Sequence, residues 1–199
     1  MLNITALPLG VYQTNCYIFY EESSPKCCVV DPGGEPHQVE KFCQTRNLTV
    51  EAILLTHGHF DHVGAVKELA ETYGCPVYIH KDDLTLPEKF TAGPLYYTNF
   101  YDEGDVLELA GLTIRVIHTP GHTEGSVCLI VDDAIISGDT LFARSCGRWD
   151  LPGGDGEKLK ASLQRFKAME GEYRIFPGHG KSTTLALEQE YNPYLKDKK

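Results

Sequence analysis

Thr56-His57-Gly58-His59-Phe60-Asp61-His62 is the stretch on which the reading of this chain turns. Four of its residues, His57, His59, Asp61 and His62, are potential metal ligands. The apolar run Ala52-Ile53-Leu54-Leu55 before it reads as a buried strand. After it, Val63, Val66, Leu69, Ala70 and Tyr73 recur at three- and four-residue spacing and mark one face of a helix. The cluster therefore lies where a strand ends and a helix begins. His57 and His59 are two apart, so in an extended segment both side chains point the same way. Asp61 and His62 fall at the helix start, where a carboxylate suits the free N–H groups and the dipole.

Outward from this stretch, residues 2–9 and 14–20 read as a strand pair around Gly10. Cys27–Val30 is a short buried strand ending in the turn Asp31-Pro32-Gly33-Gly34, and Pro36 opens a helix with Val39, Phe42 and Cys43 inward. Gly74 ends the helix after the cluster, and Pro76–Ile79 returns as a strand. Residues 81–104 are irregular and read as a surface loop or lid. Most of its aromatic residues, Phe90, Tyr96, Tyr97, Phe100 and Tyr101, are expected to anchor it, with one or two lining a substrate cleft. Two hairpins follow, 106–109 with 112–117 and 127–131 with 134–137. Asp155 is expected to cap a helix burying Leu159, Leu163 and Phe166. Arg174–Phe176 is a last strand, and a final helix carries Leu185, Leu187 and Tyr191 and stops before Pro193. Pro-Gly-His recurs after strands at 120–122 and 177–179, an echo that suggests two similar halves. Helices alternating with strands, plus hairpins, favour mixed sheets flanked by helices.

Composition sets the class. At 199 residues, 42% hydrophobic and 23% charged, the chain is that of one soluble domain. Its net charge of −10 would be offset in part by bound divalent cations. No Lys/Arg stripe points to nucleic acid. No secretory leader or bilayer-length run is evident, so a membrane partner is not expected. The seven cysteines include no Cys-x-x-Cys and read as reduced and structural, which favours the cytoplasm.

Seven residues then stand out: His57, His59, Asp61, His62, His122, Asp139 and His179. Each follows an apolar strand in a turn rich in Gly, Pro or Thr. If those strand ends converge, five imidazoles and two carboxylates without a basic partner form a cleft for cations such as zinc, iron or manganese. Seven ligands exceed one tetrahedral shell, so two metals sharing a bridging carboxylate is the economical count. Asp139 is the best bridge because it stands apart from both ligand groups.

These motifs resemble the metallo-β-lactamase fold superfamily, in order and over essentially the whole chain. The resemblance implies an α/β (α+β) fold, the αβ/βα sandwich of two mixed sheets packed face to face with helices outside. It implies that His57, His59 and His122 hold a first divalent metal, that Asp61, His62 and His179 hold a second, and that Asp139 bridges. Zinc is expected, with iron or manganese as alternatives. Within the superfamily the chain is similar to glyoxalase II (hydroxyacylglutathione hydrolase) and its single-domain relatives. The shared segments are Gly138–Phe142, Gly147–Asp155, Pro177–Gly180, Thr183-Thr184 and Asn192-Pro193. The full His-x-His-x-Asp-His set, usually incomplete in β-lactamases of the superfamily, sets an expectation against β-lactam hydrolysis. Two-domain glyoxalase II enzymes carry a C-terminal helical domain that helps hold glutathione. Here about one helix follows His179, so a single domain over 1–199 without that addition is expected. Arg148 stands where the family has a basic glutathione-contacting residue, and Asp150 replaces a Tyr.

The implied reaction is hydrolysis of a small-molecule thioester of the S-lactoylglutathione type. A water bridging two divalent ions has its pKa lowered from 15.7 towards about 7 and becomes the hydroxide nucleophile. The substrate carbonyl lies against the first metal. A thiolate with a pKa of about 8.5 leaves with little acid assistance, whereas an amide needs a proton donor. Beyond bound water only Asp61 offers one; Asp61 and Asp139 are expected to be the catalytic carboxylates. Arg148 either pairs with a substrate carboxylate or forms a surface salt bridge. Asp31 either orients a ligand histidine from behind or simply forms its turn. His37 is expected to be solvated, His80 and His118 to be packed and hydrogen-bonded outside the metal site, and Cys146 to be a small buried residue. Two rivals stand beside the hydrolase. One is a mononuclear-iron persulfide dioxygenase, whose Gly-Arg-Thr-Asp-Phe segment resembles Gly147–Leu151. The other is a non-catalytic metal-binding protein.

Overall fold

The computed structural model describes residues 1–196. Its first half runs β1 (Leu2–Leu9), β2 (Thr14–Glu21), β3 (Lys26–Val30), α1 (Pro36–Arg46), β4 (Thr49–Leu54), α2 (Phe60–Val63) and α3 (Val66–Tyr73). Then come β5 (Val77–Ile79), a 3-10 helix (Lys81–Thr85), α4 (Glu88–Thr91) and β6 (Asn99–Phe100). These six strands form one sheet in sequence order, antiparallel through β3 and parallel beyond it. The second half runs β7 (Val106–Leu109), β8 (Leu112–His118), β9 (Val127–Val131), β10 (Ala134–Gly138), β11 (Leu141–Phe142) and β12 (Ser145–Cys146). It continues with α5 (Gly156–Ala168), β13 (Arg174–Pro177), β14 (Thr183–Thr184) and α6 (Leu185–Tyr191). Its sheet has the order β14-β13-β10-β9-β8-β7, with β10 and β13 parallel, and β11 and β12 form a separate ribbon.

Strand alternation builds the layers. In β2, Cys16 and Ile18 point to α1 and α3, while Tyr17 and Phe19 point to the other sheet. In β9, Leu129 and Val131 meet those residues between the sheets, and Cys128 and Ile130 turn outward to α5 and α6. The two inner faces close one core, and each outer face is covered by helices. This is the expected αβ/βα sandwich of mixed sheets. A bulge at Glu51 switches the register of β4, since Cys27 pairs with Val50 but Cys28 with Ala52. That switch lets Val50 and Ile53 both face the helices.

The final helix departs from expectation. α6 buries Leu185 and Glu188, whereas Leu187 and Tyr191 are exposed. Glu188 goes inward because its carboxylate receives the Arg144 N–H, the Thr183 hydroxyl and the Asn192 amide. All seven cysteines are free and buried. No helix among the described residues is long and apolar enough to cross a membrane.

Candidate metal centre

The ends of β4, β8, β10 and β13 open onto one edge of the sandwich and bring the seven residues together. His57, His59 and His122 form one group, and Asp61, His62 and His179 a second, with the donor atoms of each group within 4.8 Å of one another. His59 Nδ1 and His122 Nε2 are 2.9 Å apart. Asp139 faces both groups: Oδ1 lies 3.5 Å from His62 Nε2, and Oδ2 lies 3.5 Å from His122 Nε2 and 3.6 Å from His179 Nε2. The placement of Asp139 depends on Gly138, whose left-handed backbone (φ 48°) sets it against Thr56 with no room for a Cβ.

The electrostatics differ between the groups. Burial and the neighbouring imidazoles push His57 well below the ordinary histidine range and His59 down to about 4. Both therefore keep a lone pair for a cation at neutral pH. For His62, burial opposes the proton, but Asp139, Asp31 and Asp61 outweigh it and raise the imidazole to about 9. Burial likewise works against the Asp61 carboxylate, yet His179, His62 and the Thr14 hydroxyl hold it below the usual range. Among the described residues, the buried side-chain nitrogen and oxygen atoms without a hydrogen-bond partner are His57 Nε2, His59 Nε2, His62 Nε2 and Asp139 Oδ1. Buried polar atoms are rarely left so, and here all four belong to the converging set. The donor set, nitrogen and carboxylate with no basic side chain among it, fits divalent metal ions.

Several residues hold this set from behind. Asp31, in a left-handed conformation (φ 50°), accepts the Thr56 N–H at 2.8 Å and lies 2.9 Å from His62 Nδ1. It thus orients a histidine, as carboxylates do behind metal-binding imidazoles. The Arg148 carbonyl accepts from His122 Nδ1 at 2.7 Å, which leaves Nε2 facing Asp139. Sequence reasoning missed three others. Asp83 is fully buried and accepts the Gly58 N–H (2.6 Å), the Gly125 N–H (2.7 Å) and the Thr123 hydroxyl (3.1 Å), tying the His57/His59 loop to the His122 loop. Burial, against those three donors, pushes its carboxyl up to about 6. Thr14 donates to Asp61 at 3.0 Å. Asn15 donates to the Pro177 and Gly180 carbonyls at 2.9 and 2.8 Å, bracketing His179.

The remaining candidates fall outside the metal set. Arg148 forms a fork-to-fork pair with Asp150, both contacts at 2.8 Å, on the surface. His80 is buried, stacks on His118 at 4.1 Å and lies 3.1 Å from Asp102; His37 is exposed. Cys146 is buried. In the 81–104 segment, Tyr101 is buried and its hydroxyl donates to the Leu55 carbonyl, whereas Tyr97 and Phe100 are exposed. Leu86 and Leu95 of the same segment close over Gly58, between the two histidines.

A sequence profile described as the Metallo-beta-lactamase superfamily matches residues 9–179. The chain belongs to this superfamily. Its relatives in the superfamily include an uncharacterized protein of Mycobacterium leprae, 38% identical over 96% of this chain and 98% of that protein. Hydroxyacylglutathione hydrolase GloC of Haemophilus influenzae is 32% identical, over 99% of this chain and 100% of its own. Among solved superfamily structures, BLEG-1 B3 metallo-beta-lactamase superposes with a TM-score of 0.89 at 34% identity, covering 98% of this chain and all (100%) of that one. The di-iron-bound form of TTHA1623 gives 0.84 at 40% identity, covering 96% and 99%. ETHE1 from Myxococcus xanthus gives 0.85 at 25% identity, covering 96% and 83%.

Proposed function

We propose that this superfamily member is a binuclear metallohydrolase acting on thioesters of the S-lactoylglutathione type. The observation that carries the reading is the pair of ligand groups meeting at Asp139, with four buried polar atoms left without partners. His57, His59 and His122 would hold one ion, Asp61, His62 and His179 the other, and Asp139 would touch both. When bound, the ions supply an activated water and a Lewis acid for the substrate carbonyl.

The chain's own groups narrow the leaving group. Asp61 is kept ionised by His179, His62 and Thr14 against the pull of burial, so it accepts a proton rather than donating one. A thiolate, with an ordinary pKa of about 8.5, departs without a donor, and an amide nitrogen does not. The similarity to GloC over the full length of both chains supports a thioester substrate. A small-molecule substrate and a cytoplasmic setting for the reduced cysteines complete the proposal. Arg148 would read a substrate carboxylate only by releasing Asp150, which holds it at 2.8 Å. Asp150→Ala should therefore lower KM for a carboxylate-bearing thioester severalfold, and Arg148→Ala should raise it. Zinc is the metal proposed; the di-iron form of TTHA1623 makes iron the other arm of the test.

A second reading, a persulfide dioxygenase with one iron, is favoured by the likeness to ETHE1. One experiment separates the two. Purified protein is analysed for bound metals, then assayed on S-lactoylglutathione, other acyl thioesters, glutathione persulfide with oxygen uptake, and a β-lactam. The β-lactam arm is included because BLEG-1 shares the fold at 34% identity. Two metals per chain and fastest turnover on a thioester are expected. One iron with oxygen uptake, or turnover of the β-lactam alone, would overturn the proposal; no turnover of any substrate by metal-replete protein would leave a binding role.

A further inference from the structure

A cavity of about 540 Å³ lies behind residues 146–149, a strap whose Arg148 carbonyl holds the His122 ring. The strap has two sides. Gly147 packs against the Asp139 carbonyl and the His122 ring, whereas Cys146 and Trp149 line the cavity. The rest of the lining includes Leu159 and Leu163 of α5 and Tyr194 after α6. None of these side chains belongs to the metal centre.

The lining has the character of a small-molecule site. Its volume is within the ~300–1,000 Å³ usual for such pockets, and an apolar floor is joined by a few polar groups at the rim. The Trp149 and Tyr194 rings pack edge to face, 6.5 Å apart at 72°, and give the lining one continuous aromatic surface. The chain carries a net charge of −10, yet the lining sets Lys196 beside the Lys160–Glu157 ion pair (3.8 Å), an excess of positive charge there. We propose that this cavity binds a small amphipathic anion, an apolar or aromatic body with one carboxylate, sulfonate or phosphate head. The body lies among Cys146, Trp149, Leu159 and Leu163, and the head meets the lysines. A bound anion steadies the strap and, through the Arg148 carbonyl, the His122 ring.

Trp149 is the only tryptophan in the chain, so its emission reports on this cavity directly. The metal-loaded protein is titrated with 4-phenylbutyrate and, as the uncharged control, 4-phenylbutanol. A saturable change in emission is expected with the acid, with binding at least tenfold weaker for the alcohol (a difference of about 1.4 kcal/mol). Lys196→Glu at the rim and Gln164→Phe, which fills the wall, should each weaken the acid by a similar factor while melting temperatures stay near that of the parent. A non-saturable response, equal binding of the alcohol, or binding unchanged in both variants would overturn the proposal. So would a response that survives Gln164→Phe but is lost in Asp139→Ala, which would put the anion on the metals. Binding seen only after removal of residues 197–199 would make the tail the occupant and overturn it as well.

Discussion

Asp83 shows what a single buried carboxylate does for the site. With both oxygens committed to Gly58, Thr123 and Gly125, it joins two loops that carry three of the histidines. Asp83→Asn leaves one acceptor oxygen and sets an NH2 group against a backbone N–H. Metal affinity of the His57/His59/His122 group should fall by about 10–100-fold, the usual effect of removing a supporting partner. A two-site metal titration should show that loss with the second group unchanged; equal weakening of both would make Asp83 merely structural. Gly178 gives a complementary test. A Cβ there would stand 2.1 Å from Asp139 Oδ1 and 2.8 Å from His62 Cε1. Gly178→Ala should lower the metal-to-protein ratio and abolish hydrolysis, with the circular dichroism spectrum preserved. The seven expected ligands were legible because His and Asp in Gly/Pro turns after apolar runs are locally conspicuous. Asp83, Thr14 and Asn15 were not, because their partners lie 25, 47 and 162 residues away in sequence. Nothing nearby distinguishes them from ordinary loop or strand residues.

Among the elements, α5 separates two sources of helix stability. Its N-cap Asp155 accepts from the Glu157 and Lys158 N–H groups at 2.9 and 3.0 Å, and Leu163 is buried against the second sheet. Asp155→Ala should cost about 1 kcal/mol, or roughly 2–4 °C in Tm, and Leu163→Ala roughly 2–5 kcal/mol. Thermal melts of the two variants check the order, since packing rather than the cap holds this helix. Hairpins, caps and the inner face of α5 could be read from local pattern. The face of α6 could not: Glu188 is polar by type and enters the core only because Arg144, Thr183 and Asn192 meet it there. The 81–104 segment was readable as irregular, but its packing over Gly58 depends on contacts outside it.

At the scale of the molecule, the two ligand-bearing edges belong to different sheets. His57, His59, Asp61 and His62 follow a strand of the first, and His122, Asp139 and His179 follow strands of the second. Bound ions would cross-link the halves. Chelation should therefore lower Tm: ions at a hundred times their Kd add about 2.7 kcal/mol, or roughly 5–10 °C. A melt with and without chelator, reversed by added zinc, measures this; an unchanged Tm would mean the folded protein holds no such ions. The layer order was legible in the sequence because strand alternation and helical periodicity are both strong here. The pairing order within the second sheet was not, since β10 takes β13 as its parallel neighbour across a whole helix.

The hydrogen bonds from Asn15 to Pro177 and Gly180 bear on how the protein is made. A ribosome delivers Thr14, Asn15, Asp61 and His62 well before His179. A nascent chain halted before β13 has its first half-site loops but lacks the segment that closes the second. Until that segment emerges, the second half-site has no His179, and Asn15 has neither of its two carbonyl partners. The second half-site therefore closes only when the β13 segment, which also pairs with β10 in the second sheet, has emerged.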